Sequence, residues 1–88
     1  MYIKYLDNIH NLDNFLSIVK GQLEVTTSHK DNCIYLVKQQ NHFSMAFLTE
    51  DARNFILAKI WDDMKAGVEF LDIDEILPTF YDAEKYKI

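Results

Sequence analysis

The sequence predicts an α+β fold: a small antiparallel sheet of three to four strands with helices packed on one face, in the order (β)αβββαα. Three observations predict it. Between Thr49 and Gly67, Ala52, Ile56, Leu57, Ile60, Trp61 and Met64 fall on one broad face at about 100° per residue, the signature of an amphipathic helix. Between Leu23 and Leu48, three short segments rich in β-branched and aromatic residues alternate with polar turns, as strands do. Those turns are too short to hold crossover helices, so the strands form an antiparallel meander.

Taken in order, Tyr2 to Leu6 alternates only in part but carries enough β-forming side chains for a short first strand. Asn8 to Asn11 reads as a turn. Asn11 then caps a helix through Val19, with Asp13 in its first turn, Gly21 as its stop, and Leu12, Phe15, Leu16 and Val19 as a buried stripe. Leu23 to Thr27 opens the meander, and Ser28 to Asn32 is a polar hairpin loop. Cys33 to Lys38 is nearly continuous apolar sequence, which suits a central strand. After the turn at Gln39, Gln40 and Asn41, His42 to Leu48 forms the third strand. Phe43, Met45 and Phe47 lie on one of its faces, and Ser44, Ala46 and Leu48 on the other.

The long helix opens at Thr49, whose hydroxyl can cap it, with Glu50 and Asp51 at the positive end of the dipole. Gly67 ends it in a left-handed conformation. Arg53 lays its stem on apolar surface and extends its guanidinium to water. Phe55 points away from the apolar face, toward either the C-terminal tail or a partner. Val68 to Leu71 links to a second, short helix, for which Asp72-Ile73-Asp74-Glu75 forms a capping box and Leu71 and Ile76 a hydrophobic staple. Pro78 ends or kinks that helix, leaving Phe80, Tyr81 and Tyr86 as aromatic side chains in a charged tail. The expected core is Phe15, Leu16, Ile34, Leu36, Phe47, Ile56 and Ile60.

At 88 residues and 49% hydrophobic, the chain is expected to form one compact domain over 1–88. A domain this small gains stability from a partner or from self-association, which leaves a homodimer open. Cys33 is the single cysteine, so no intrachain disulfide forms and a reducing compartment is expected. The N-terminus has no basic cluster followed by an apolar run, and no stretch approaches the roughly 18–20 apolar residues that span a bilayer. The expectation is a cytoplasmic protein with no membrane association.

Catalytic and cofactor chemistry find little support. His10, His29, Cys33 and His42 are zinc-ligand types, but a second close pair of ligands is missing. Cys33 opens an apolar strand, where a cysteine ordinarily packs as a small hydrophobe. Asp62/Asp63 and Asp72/Asp74 are paired acids, but the glycine and loop spacing of a calcium site are absent. With only Gly21 and Gly67, a glycine-rich phosphate cradle is excluded, and no nucleophile-elbow motif is present. The expectation is a protein that is not an enzyme and that uses no metal and no cofactor.

The placement of charge is more informative. The net charge is −5. Residues 1–61 are neutral, and the whole excess falls in residues 62–88, which hold Asp62, Asp63, Glu69, Asp72, Asp74, Glu75, Asp82 and Glu84 against Lys65, Lys85 and Lys87. Such a field repels nucleic acid and attracts basic surfaces. Asp62 and Asp63 also sit late in the long helix, where acids oppose the dipole. Asp62, Asp63, Glu69, Asp72, Asp74, Glu75 and Asp82, with Phe55, Phe80 and Tyr81 as apolar anchors, are therefore the candidate partner-binding residues. Spread along one face, these acids would imitate duplex phosphates. The ordinary alternative is a solvated acidic face that keeps the domain soluble.

A helix, a three-strand meander and further helices in an acidic chain of this size resemble the small phage-encoded anti-defence proteins of the anti-CRISPR type. The resemblance covers the whole chain, rests on architecture, size and charge, and carries no individual residue across. It implies a non-enzymatic inhibitor that occupies the nucleic-acid site of a basic partner, such as a defence nuclease or CRISPR effector, without binding nucleic acid itself. The alternative is an antitoxin or immunity-type protein that neutralises its partner stoichiometrically.

Overall fold

A computed structural model of the chain describes residues 1–24 and 30–85. Six strands form two three-stranded sheets, with two helices: β1 (Tyr2–Tyr5), β2 (Asn8–Asn11), a 3-10 turn (Leu12–Asn14), β3 (Ser17–Glu24), β4 (Lys30–Val37), β5 (His42–Phe47), α1 (Glu50–Ala66), β6 (Phe70–Asp72) and α2 (Ile73–Lys85). The class is α+β. The meander is the antiparallel sheet β3-β4-β5, with the apolar β4 at its centre. The single sheet of the sequence reading becomes two, because β1 pairs antiparallel with β2 and parallel with β6 in a separate sheet ordered β2-β1-β6. Val25 to His29, within the expected strand end and hairpin loop, and Tyr86 lie outside the described residues, whereas Lys30 to Asn32 belong to β4.

The core lies between the two sheets and the helices. Ile3, Tyr5 and Leu71 come from one sheet, Ile34, Leu36, Met45 and Phe47 from the other. Leu12 of the 3-10 turn, Ala52, Ile56, Leu57 and Ile60 of α1 and Ile73 of α2 complete it. Phe43 packs at the margin, so the inward face expected for β5 is the one observed. Helix α1 lies across the meander, and α2 lies against β1 and α1.

The ends of α1 follow the sequence reading. The Thr49 hydroxyl accepts from the Ala52 amide at 3.1 Å. Gly67, at φ 75°, is left-handed, and the Val68 amide reaches back to the Asp63 carbonyl at 2.9 Å, a Schellman closure that needs this conformation. The side chains diverge more. Trp61 and Met64 are half exposed although they share the apolar stripe. Arg53 is 6% exposed and its guanidinium does not reach for water. It donates to the Gly21 carbonyl at 2.8 Å and to Asn54 Oδ1, with Glu50 3.5 Å away.

Four local expectations are corrected. The helix from Asn11 to Val19 is a single 3-10 turn. The Asn11 side chain does cap it, accepting from the Asp13 amide at 3.1 Å, but the chain then extends into β3, which pairs along its whole length with β4. The spacing of Leu12, Phe15, Leu16 and Val19 imitated a helix. β-branched Ile18 and Val19 and a full ladder partner decide for a strand. Phe15 accordingly packs at the core margin, while Leu16 is 71% exposed. Gly21 stops no helix: a Cβ there would collide with the Tyr35 ring, which lies across it. The early turn is Leu6-Asp7, not Asn8 to Asn11, and both its residues are left-handed, at φ 49° and 62°. Phe70 and Leu71, expected to be part of a linker, form β6 together with the capping residue Asp72, because β1 offers them a parallel edge. Of the two outcomes expected at Pro78, an end or a kink, α2 does not end there: Pro78 lies inside the helix, which continues to Lys85.

Candidate functional site

The structure gathers nine of the ten candidate residues in two places. Asp62, Phe55, Phe80, Tyr81 and Asp82 lie on α1 and α2; Glu69, Asp72, Asp74 and Glu75 lie where β6 runs into α2. Asp63 is separate from both.

On the helical side, Phe55 stacks on Phe80 with ring centroids 4.7 Å apart and planes 23° apart. The C-terminal helix thus covers one face of Phe55, which remains 41% exposed. Asp51 and Asp62 share the Phe55 side of α1 by helical period, and both are exposed; Asp82 is also exposed, but two residues past Phe80 it falls on the other side of α2. Tyr81 turns inward: its hydroxyl accepts from the Leu48 amide at 3.0 Å. The result is an aromatic pair, open on one side and flanked by carboxylates, an arrangement suited to anchor against an apolar spot in a basic surface.

Asp63 has a different setting from its neighbour. It is 7% exposed and accepts from Lys59 Nζ at 3.0 Å, one helical turn back. The fold itself therefore accounts for this acid.

The third group clamps the N-terminal hairpin. Asp72 Oδ1 accepts from the Glu75 amide at 3.1 Å, the expected cap of α2. Asp74 does more. Its two oxygens accept from the amides of Leu6, at 2.7 Å, and Asp7, at 2.9 Å. Successive amides in a tight turn can converge on one anion, and here the anion is a carboxylate of the same chain. Lys4 Nζ lies 3.9 Å from both Asp72 and Asp74 and 3.7 Å from Asp7. The Asp7 amide, then the Leu6 amide and the Lys4 ammonium, outweigh the partial burial of Asp74 and hold its carboxyl below the usual carboxylate range. Glu69 and Glu75 are exposed.

The metal-ligand types stay apart. Cys33 is 1% exposed within the meander, His42 sits at the start of β5 with its ring edge-on to Tyr35 at 5.3 Å, and His10 packs on Phe43 at 4.3 Å. His29 lies outside the described residues. Among the described residues no three metal-ligating side chains come together. The His10 Nε2 is buried without a hydrogen-bond partner.

Two features escaped the sequence reading. Tyr5 donates its hydroxyl to the Ala46 carbonyl at 2.8 Å and accepts from the Ala46 amide at 3.0 Å, occupying the free edge of β5; burial pushes this phenol up from its usual value. Tyr2, Ile9 and Phe70, all about half exposed or more, share the outer face of β2-β1-β6. Once residues 8–11 and 68–71 were read as a turn and a linker, alternation could not be followed across them.

Among the described residues no helix is long and apolar enough to cross a membrane. Comparison of the chain with protein-family models, with curated proteins and with solved structures gives no match.

Proposed function

We propose that this chain is a non-catalytic inhibitor that acts in the cytoplasm by binding a basic, nucleic-acid-handling protein, such as a defence nuclease of the CRISPR-effector kind, and blocking its nucleic-acid site. The observation that carries the reading is the Phe55–Phe80 stack, open to solvent on one side and flanked on α1 by the exposed acids Asp51 and Asp62. The aromatic pair supplies desolvated contact area, and the acids supply long-range attraction to a basic groove. Burial of Cys33 and engagement of Asp63, Asp72 and Asp74 within the fold favour binding over catalysis, since these groups are already committed to packing or hydrogen bonding.

The test is capture of partners on the immobilised chain at about 0.05 M salt, followed by release at about 0.5 M, where the Debye length shrinks to a few ångströms. The reading expects a basic partner whose release is hastened by salt and by duplex DNA, and whose capture weakens in Asp62→Lys and Phe55→Ser. A partner that handles no nucleic acid and is indifferent to the DNA competitor would shift the reading to a stoichiometric immunity-type protein.

A further inference from the structure

We infer that the outer face of the sheet β2-β1-β6 is a second docking surface, and that its occupant is a basic protein surface with an apolar centre. It rests on the proposed reading only for the biological source of such a partner; the face itself is argued from its own residues.

The ladder register places Phe70 directly beside Tyr2, and Ile9 directly beside Lys4. The intervening residues Ile3 and Leu71 point the other way and are buried, so Tyr2, Lys4, Ile9 and Phe70 share the outer face with Asn11 and Asp72. Tyr2 is 48%, Phe70 47% and Ile9 62% exposed. Two aromatics side by side, with a branched aliphatic side chain across Lys4 on the same rigid sheet, have the composition of an interface centre. Solubility alone gives no reason to group them there.

Charge selects the occupant. The segments that build this face carry Asp7, Asp13, Glu69, Asp72 and Asp74 against two cations, Lys4 and the Met1 ammonium, the latter 3.5 Å from Asp13. Lys4 is already held by Asp7, Asp72 and Asp74. The Asp7 and Asp13 side chains are 95% and 75% exposed, and Glu69 is exposed. An apolar centre with an acidic rim fits a basic rim. It does not fit a second copy of itself, because a two-fold contact would set acid against acid. The edges of the other sheet are also partly blocked. Tyr5 occupies the β5 edge at Ala46, and Arg53 caps the Gly21 carbonyl of β3. Strand addition is thus hindered there, and a face, rather than an edge, is what the molecule offers.

The test uses the isotope-labelled full chain and two synthetic probes, an alternating Leu-Lys peptide and an alternating Leu-Glu peptide, followed by amide NMR at low salt. The expected result is that the Leu-Lys peptide shifts amides of β1, β2 and β6. Its affinity should fall about tenfold or more in the double variant Ile9→Ser, Phe70→Ser, and the Leu-Glu peptide should leave the spectrum unchanged. Shifts confined to α1 and α2, or equal response to both peptides, would overturn the inference. So would sedimentation showing a dimer of the free chain that Phe70→Ser dissolves, which would make a second copy the occupant. The wild-type shift map decides the matter even if the double variant folds poorly. Because neither probe handles nucleic acid, failure here leaves the proposed function standing, and failure of the capture experiment leaves this face standing.

Discussion

Replacing Asp74 by Asn tests whether one carboxylate holds the N-terminal hairpin to α2. The wild-type group accepts two amide hydrogen bonds, at 2.7 and 2.9 Å, from Leu6 and Asp7. An asparagine offers one acceptor oxygen and turns an NH2 toward the other amide. Hydrogen bonds to charged groups contribute about 1.5–3 kcal/mol each where water is excluded. Leu6 and Asp7 are exposed, so water can replace part of what is lost, and the interaction with the start of α2 adds only about 0.3–1 kcal/mol. The expected cost is therefore about 2 kcal/mol, which for a domain of this size lowers the melting temperature by roughly 8–16 °C. Circular dichroism melts give the shift, and amide exchange at Leu6 and Asp7 shows whether the loss is local. Exposed Glu75→Gln, one residue on, is the control and should move stability by no more than about 0.5 kcal/mol.

The same group sets the sign of a pH effect. The Asp74 carboxyl is held below its usual range in the folded chain, so the unfolded chain takes up the proton first as pH falls. Its contribution is complete above the unfolded value of about 3.9 and is lost as pH drops through the lower folded value. Asp74→Asn should flatten that acid limb. An unchanged melting temperature, or an acid limb identical to the wild type, would refute the clamp.

Other expectations follow from single contacts. Ile60→Ala, at a position with no exposure, should cost on the order of 2–5 kcal/mol; a melt without a shift would contradict the packing of α1. Leu6→Gly should stabilise by about 0.5–1 kcal/mol, because Leu6 holds φ 49°, where a side chain is disfavoured; a destabilised hairpin would mean that the exposed leucine packs in a way its exposure hides. His10→Phe replaces a ring with an unpartnered buried nitrogen by one of similar shape against Phe43, and should be neutral or stabilising by up to about 1 kcal/mol in a denaturant titration. Cys33→Ser should lower stability yet leave partner binding intact in variants that still fold; complete loss of binding there would give the thiol a role beyond packing.

How far the sequence carried the structure depends on how local each signal was. Thr49, Gly67 and Asp72 act through their own neighbours, and all three were legible as caps. The central position of Cys33 to Val37 was legible because an apolar run of that length has one natural place in a small sheet. What failed was decided by distant partners. Ser17 to Glu24 became a strand because β4 lies beside it, and Phe70 to Asp72 because β1 does. Leu6-Asp7 lacks the glycine or asparagine that marks such turns; its conformation is supported by Asp74, 67 or 68 positions away. Arg53 was misplaced for the same reason, since its acceptor at Gly21 is 32 positions away.

The acids show how this bears on function. Asp62 and Asp63 were equivalent in sequence: both sit late in a helix, where the dipole disfavours them, and both therefore pointed to a partner. The structure separates them. Asp63 is nearly buried and accepts from Lys59, whose own side chain is half exposed, so Asp63→Lys presses a second cation into a nearly buried position and should lower stability, which confounds any report on binding. Asp62 is exposed on the Phe55 side of α1, and its cost to the helix has no return within the described fold. Asp62→Lys should therefore leave the melting temperature unchanged or slightly raised, by a few tenths of a kcal/mol from the dipole. It should also slow association with a basic partner and flatten the salt dependence of that rate. A folded Asp62→Lys chain that associates at the wild-type rate and with the wild-type salt dependence would remove the helical ridge from consideration as a binding face.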